Sequence, residues 1–207
     1  MQRFHIADIK RFLDQCAQAG CSCKEQLTKI DSLNGDGDLG VSVEKGMLAL
    51  RAQIAEYTGA TVGTLFMQCG TAFNKAAPST MGTLIGLSLM ALGKRWSDYA
   101  ELNEKDVVEA ARLIADTMAK FGHSKPGDKT ILDALYPFAD AIENAYEHGE
   151  PLCTAFEKGK QAARNGMECT KSMMATVGRA RWLGERATGV YDGGAMLCVS
   201  ILESITL

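Results

Sequence analysis

The chain has little of what would place it at a membrane, on nucleic acid or outside the cell. Its longest weakly polar run, Met81 to Gly93, is about 13 residues, too short to span a bilayer. Charged residues appear from the start of Met1-Gln2-Arg3-Phe4-His5-Ile6-Ala7-Asp8, and no apolar run precedes them as a secretory leader would require. A cytoplasmic chain is therefore expected. A formal net charge of -3 gives no excess of basic side chains to release counterions from a phosphate backbone, so nucleic acid is not an expected partner. Seven cysteines, an odd number and scattered, read as reduced thiols. Cys16, Cys21 and Cys23 cluster, but no histidine or second cysteine pair stands nearby at zinc spacing. Only four prolines occur, with no Ser/Pro-rich linker, so one domain covering 1–207 is expected.

Period-two alternation is scarce, while helical periodicity runs through most of the chain. Ile9, Phe12, Leu13 and Cys16 share a face, as do Val107, Ala111, Ile114 and Met118, and again Leu135, Phe138, Ala139 and Ile142. This predicts helices over about 3–19, 22–32, 41–57, 60–75, 80–94, 104–121, 129–147 and 151–176, with a ninth near 194–205. Asn103 before Glu104-Lys105-Asp106 reads as an N-cap, and Lys125-Pro126-Gly127-Asp128 as a break with a new start at Asp128 or Thr130. The fold class is all-α, a bundle with short glycine-bearing loops.

Three loops hold the chemistry. From Asp31 the chain runs to Asn34-Gly35-Asp36-Gly37-Asp38-Leu39-Gly40, three carboxylates converging on glycines that let the backbone bend. Carboxylate oxygens suit a hard cation. A calcium loop with Gly37 at its sixth position puts Ser32 first and Val43 where the bidentate glutamate belongs, and starting at Asp36 puts Met47 there. Three carboxylates with few other strong ligands instead suit Mg2+, which keeps waters and shares itself with phosphates. The alternative is a solvated Asp-Gly turn. From Gly178 to Ala195 the chain gathers Arg179, Arg181, Glu185, Arg186 and Asp192 among glycines, a composition suited to wrapping an anion. Ala77-Pro78-Ser79-Thr80-Met81-Gly82-Thr83 opens the apolar helix with three hydroxyls, able to receive a phosphate or simply to cap the helix.

Together, Asp31 to Gly40, Lys125-Pro126-Gly127-Asp128-Lys129-Thr130, and Gly178-Arg179-Ala180 through Leu183-Gly184-Glu185-Arg186 to Asp192-Gly193-Gly194-Ala195 resemble the nucleotide-binding L subunit of dihydroxyacetone kinases. The resemblance implies an eight-helix antiparallel barrel that binds ADP or ATP at one end through two Mg2+ ions. It implies that Asp31, Asp36 and Asp38 are the metal ligands, and that they and Arg179 carry the phosphoryl-transfer chemistry. Ser79, Thr80 and Gly82 would lie against the phosphates, Arg179 and Asp192 would close the site, Gly122 and the Pro126-Gly127 turn would shape the adenine pocket, and Leu132 would either pack on the base or belong to the core. The implied partners are a ketose-holding K subunit and a phosphohistidine protein of the sugar phosphotransferase system; self-association as a homo-oligomer stays open. The chain departs from the family pattern at Leu39, where histidine is usual, at Ser42, in the Ala76–Gly82 loop, and at Val190-Tyr191, where histidine precedes the last aspartate. Those departures bear on the acceptor and on activity more than on nucleotide binding, and they motivate a second reading: a non-catalytic nucleotide-binding regulatory module.

Overall fold

In a computed structural model the chain is described over residues 2–207, without the side chains of Asn34, Leu183, Glu185 and Arg186. The described residues form nine α-helices: α1 (Ile6–Ser22), α2 (Lys24–Asn34), α3 (Leu39–Glu56), α4 (Val62–Ala76), α5 (Thr80–Arg95), α6 (Glu104–Gly122), α7 (Leu132–Glu147), α8 (Leu152–Cys169) and α9 (Gly193–Ser204). Two three-residue strands, β1 (Arg3–His5) and β2 (Glu101–Asn103), pair antiparallel with Phe4 opposite Leu102. No helix among the described residues is long and apolar enough to cross a membrane.

Cross-helix contacts show how the helices are arranged. Arg51 of α3 pairs with Asp14 of α1, and Gln53 bonds Gln68 from α3 to α4. Arg95 of α5 meets Glu109 of α6, Arg112 of α6 meets Glu143 of α7, and Lys160 of α8 donates to the carbonyl of Ile205 just past α9. Finally Ser204 of α9 reaches the carbonyl of Gln15 in α1, which closes the ring. The ring is thus α1, α3, α4, α5, α6, α7, α8 and α9, eight helices with each antiparallel to its neighbour, and α2 packs outside against α3. This is the all-α antiparallel barrel expected. The helices enclose an apolar cavity of about 260 Å3, lined by residues such as Phe12, Leu50, Leu89, Ile114, Phe138 and Ile201.

Antiparallel order fixes where the loops go. The starts of α3, α5, α7 and α9 share one end of the barrel with the ends of α4, α6 and α8. Macrodipoles of antiparallel neighbours largely cancel, so what distinguishes this end locally is its set of first-turn amides, which have no intrahelical acceptor.

Three boundaries differ from expectation. The first helix begins at Ile6, not near residue 3, because the three residues before it are drawn into the β1–β2 pair; strands this short carry no readable period. Helix α7 begins at Leu132, since Lys129 is left-handed (φ 60°). Helix α8 ends at Cys169: Met173, Met174 and Ala175 continue the apolar pattern, but the backbone is already extended at Met173 (φ -85°, ψ 148°). Asn103 caps α6 as expected, its Oδ1 accepting from the N–H groups of Lys105 and Asp106 at 2.9 and 3.2 Å while Asp106 reciprocates.

Candidate functional site

Asp31 lies in the last turn of α2, and the chain then turns through Gly35–Asp38 into α3. The turn needs Gly37: its φ is +76°, and a Cβ there would stand 2.6 Å from the Ser32 hydroxyl oxygen. Asp31 Oδ2 accepts the N–H of Leu39 at 3.1 Å, so the first carboxylate caps the helix on which the third stands. The result is that Asp31, Asp36 and Asp38 each bring an oxygen within 4.8 Å of the others, Asp31 half-buried and the other two exposed.

Three anions this close repel one another unless a cation lies among them. One is present in the protein itself: the Arg179 guanidinium pairs with Asp36, although the two are far apart in sequence. Among the described residues the cluster is made of carboxylates alone, without sulfur or imidazole, and this hard-oxygen donor set fits a divalent ion such as Mg2+.

The neighbouring helix starts complete the end of the barrel. A Cβ on Gly193 would come 2.7 Å from Leu39 Cδ2, and one on Gly194 would come 2.8 Å from Met81 Cε and 3.1 Å from Ile131 Cβ. The starts of α3, α5 and α9 and the turn before α7 are therefore contiguous. Ser79 caps α5 by accepting the Gly82 N–H at 3.1 Å, so its hydroxyl serves the helix whatever else it does. Thr80 beside it is exposed. Asp192 caps α9 by accepting the Ala195 N–H at 2.7 Å, and its own N–H donates to the buried Thr170 hydroxyl at 3.0 Å.

Burial pushes the Asp192 carboxyl up to about 7, with Asp133 adding to the shift and Lys129 opposing it. Lys129 is itself buried, which lowers its pKa, partly offset by Asp192. Its ammonium donates to the carbonyls of Met173 and Ala187 at 3.3 and 2.5 Å.

The structure brings Asp31, Asp36, Asp38 and Arg179 into one cluster and sets Ser79, Thr80, Gly82 and Asp192 on the adjoining helix starts. Gly122 closes α6 on the same end, next to Leu84 of α5. Of the two roles open to Leu132, the structure takes the core: it is fully buried and presents no surface on which a base would rest. The loop's outer side carries Trp182, 75% exposed, with the Arg181 guanidinium 4.4 Å from its ring centroid. The Arg186 and Glu185 side chains lie outside the described residues. Sequence reasoning missed Lys129, Asp133 and Thr170. A lysine between Asp128 and Thr130 reads as a solvated turn residue, and only its left-handed backbone, invisible in sequence, turns it inward.

Comparison with known proteins bears on this arrangement. The sequence profile of the DAK2 domain matches residues 34–207. The L-erythrulose kinase of Pectobacterium atrosepticum is 33% identical over 183 residues, covering 87% of this chain and 31% of that protein. The chain therefore spans about a third of that relative's length. The ADP-binding subunit DhaL of the PEP-dependent dihydroxyacetone kinase of Escherichia coli K12 is 24% identical over 199 residues, covering 96% of this chain and 95% of that subunit. Among solved structures, the dihydroxyacetone kinase of C. freundii in complex with AMP-PNP and Mg2+ superposes with a TM-score of 0.75 at 20% identity, covering 96% of this chain and 33% of that one. The last likeness is one of fold.

Proposed function

The chain belongs to the DAK2-domain family, and from that premise we propose that it is the nucleotide-binding part of a ketose kinase, holding Mg-ADP or Mg-ATP at the aspartate end of the barrel. The observation that carries the reading is the cluster of Asp31, Asp36 and Asp38 beside Arg179 and two capped helix starts. In this reading the three aspartates hold two Mg2+ ions. Bound there, Mg2+ neutralises charge on the phosphate oxygens.

The protein's own groups would do the rest by positioning. The first-turn amides of Thr80 and Met81, at the α5 start that Ser79 and Gly82 shape, would face the phosphates, as helix starts do in many anion sites. Arg179 exchanges its pairing with Asp36 for the phosphates, where its planar donors match oxygens in pairs. Asp192 and Gly122 border the nucleotide from the α9 and α6 sides. Phosphoryl transfer asks little covalent work of the protein, so alignment and charge stabilisation carry the rate.

The acceptor would be a small ketose, dihydroxyacetone or a relative such as erythrulose, held on a separate K subunit or domain. Two relatives support this: one named an erythrulose kinase is much longer than this chain, and one named an ADP-binding subunit has nearly its length. The donor is either ATP or a phosphohistidine protein that rephosphorylates resident ADP.

A second reading, a nucleotide-loaded regulatory module without turnover, is favoured by Leu39. It places an apolar side chain against Gly193 at the head of the site.

The test is a calorimetric titration of ligand-free protein with ADP and ATP, with and without Mg2+, followed by turnover assays with a ketose-holding partner. Mg2+-dependent binding that disappears in Asp36→Ala, with ketose phosphate formed only when the partner is present, is the expected result. Failure of both nucleotides to bind would overturn the reading. Binding without turnover, but with altered partner affinity in Asp36→Ala, would favour the regulatory module.

A further inference from the structure

Arg179 is exposed and stands in a long segment between α8 and α9, so its place at the aspartates needs an explanation from the interior. The segment leaves the barrel near Thr170 and returns at Asp192. Lys129, only 4% exposed, stands beneath it. A buried ammonium is costly unless it is hydrogen-bonded, and Lys129 meets that need with two main-chain carbonyls, Met173 and Ala187. These acceptors lie on opposite sides of Arg179 in the sequence. One side chain thus ties both feet of the arch that carries the arginine.

The turn that presents Lys129 is itself held firmly. Left-handed backbone in a non-glycine residue is unfavourable and persists where surroundings over-determine it. Asp133 supplies that constraint, its carboxylate accepting the N–H of Gly127 at 2.5 Å and of Thr130 at 2.7 Å. Asp128 adds a second staple to the same arch, its Oδ1 accepting from the Thr176 hydroxyl at 2.6 Å and its carbonyl from the Thr176 N–H at 3.3 Å. Asp192, near enough for it and Lys129 to shift each other's titration, sits at the returning foot.

We infer that Lys129 is a positioning residue: by anchoring the carbonyls of Met173 and Ala187, it holds the 173–187 segment in the shape that sets Arg179 over the aspartate cluster. The anchoring stands on the geometry alone, while its consequence for nucleotide rests on the function proposed above.

The experiment compares wild type, Lys129→Met, Arg179→Ala and the double variant, all as the full chain. The first readout is the rate of tryptic cleavage after Arg179 or Arg181, followed by mass spectrometry without nucleotide. Losing a charged donor to two carbonyls should raise the rate by about tenfold in Lys129→Met, at unchanged helix content. The second is Mg-ADP affinity. Lys129→Met should weaken it by about tenfold, and the double variant should bind no worse than Arg179→Ala, because a residue acting through the arginine has nothing left to act through. An unchanged cleavage rate would overturn the anchoring, and losses that multiply in the double variant would overturn the route through Arg179.

If Lys129→Met does not fold, Thr176→Val loosens the same segment at its exposed staple. The same two readouts then decide, since its affinity loss must also vanish in the Arg179→Ala background. If wild type binds no Mg-ADP, the proposed function fails, and the cleavage rate alone decides the anchoring.

Discussion

Asp192 performs two tasks that make opposite demands on its charge. As the cap of α9 it accepts an amide hydrogen bond, which favours the carboxylate, yet burial favours the neutral acid and wins, raising the carboxyl from 3.8 to about 7. Between about pH 4 and 7 the folded protein therefore binds a proton that the unfolded chain has released. Stability must fall as pH rises through that window and level off above it. Asparagine keeps an oxygen for the cap and has no charge to bury. Asp192→Asn should therefore show a flatter melting temperature between pH 5 and 8 than wild type, and should melt above wild type at pH 8. Parallel pH profiles for the two proteins would contradict the argument. At this scale the sequence is legible where chemistry is dense: three carboxylates among glycines announced themselves, and the structure clusters them. It is silent on Lys129 and Thr170, whose side chains act through partners more than twenty residues away.

Among the elements, α4 and α5 approach closely because glycines face each other along their contact. A Cβ on Gly70 would lie 2.7 Å from the Gly86 carbonyl oxygen, and one on Gly63 would meet three backbone atoms, from Ser97, Trp96 and Gly93, at 2.5 to 2.6 Å. Backbone has no rotamer by which to yield, so Gly63→Ala should push the pair apart. The cost should be about 1–3 kcal/mol, read as a lower denaturation midpoint. Gly63 is at the barrel end opposite the aspartates, so Mg-ADP affinity of the folded fraction should not change. Helix α6 was readable to within a residue because its capping box and its apolar stripe agree. Helix α7 was not, since its start depends on a left-handed lysine and on Asp133 accepting from two amides upstream.

For the whole molecule, the number and order of the helices follow from periodicity, but closure of the ring does not. Nothing local in α1 or α9 states that they meet, because that contact joins opposite ends of the sequence. Closure makes the candidate site a junction of the α2–α3 turn, the α5 start, the α9 start and the Arg179 segment. A ligand held by all four should stabilise the ring as a unit. At a hundredfold excess over its dissociation constant, Mg-ADP should add about 2.7 kcal/mol. That corresponds to a rise in melting temperature of roughly 5–10 °C in one transition. Chelation of the metal with EDTA should reverse the shift, which differential scanning calorimetry would record.

Because α1 and α9 lie side by side and antiparallel, the chain enters α1 at the end away from the aspartates and leaves α9 beside the middle of α1, Ser204 reaching Gln15, with Phe4, Ile205 and Leu207 all lining the same cavity. The start of α1 is set back from the site by about 25 Å, the length of that helix, and the end of α9 by about 18 Å. The molecule can therefore be cut and resealed like a hoop: a short peptide joining its two ends, with a new opening in the turn at 57–61, preserves every helix contact around the ring. A domain tethered to either end likewise leaves the aspartate end uncovered and has to fold back along the outside of the barrel to reach it.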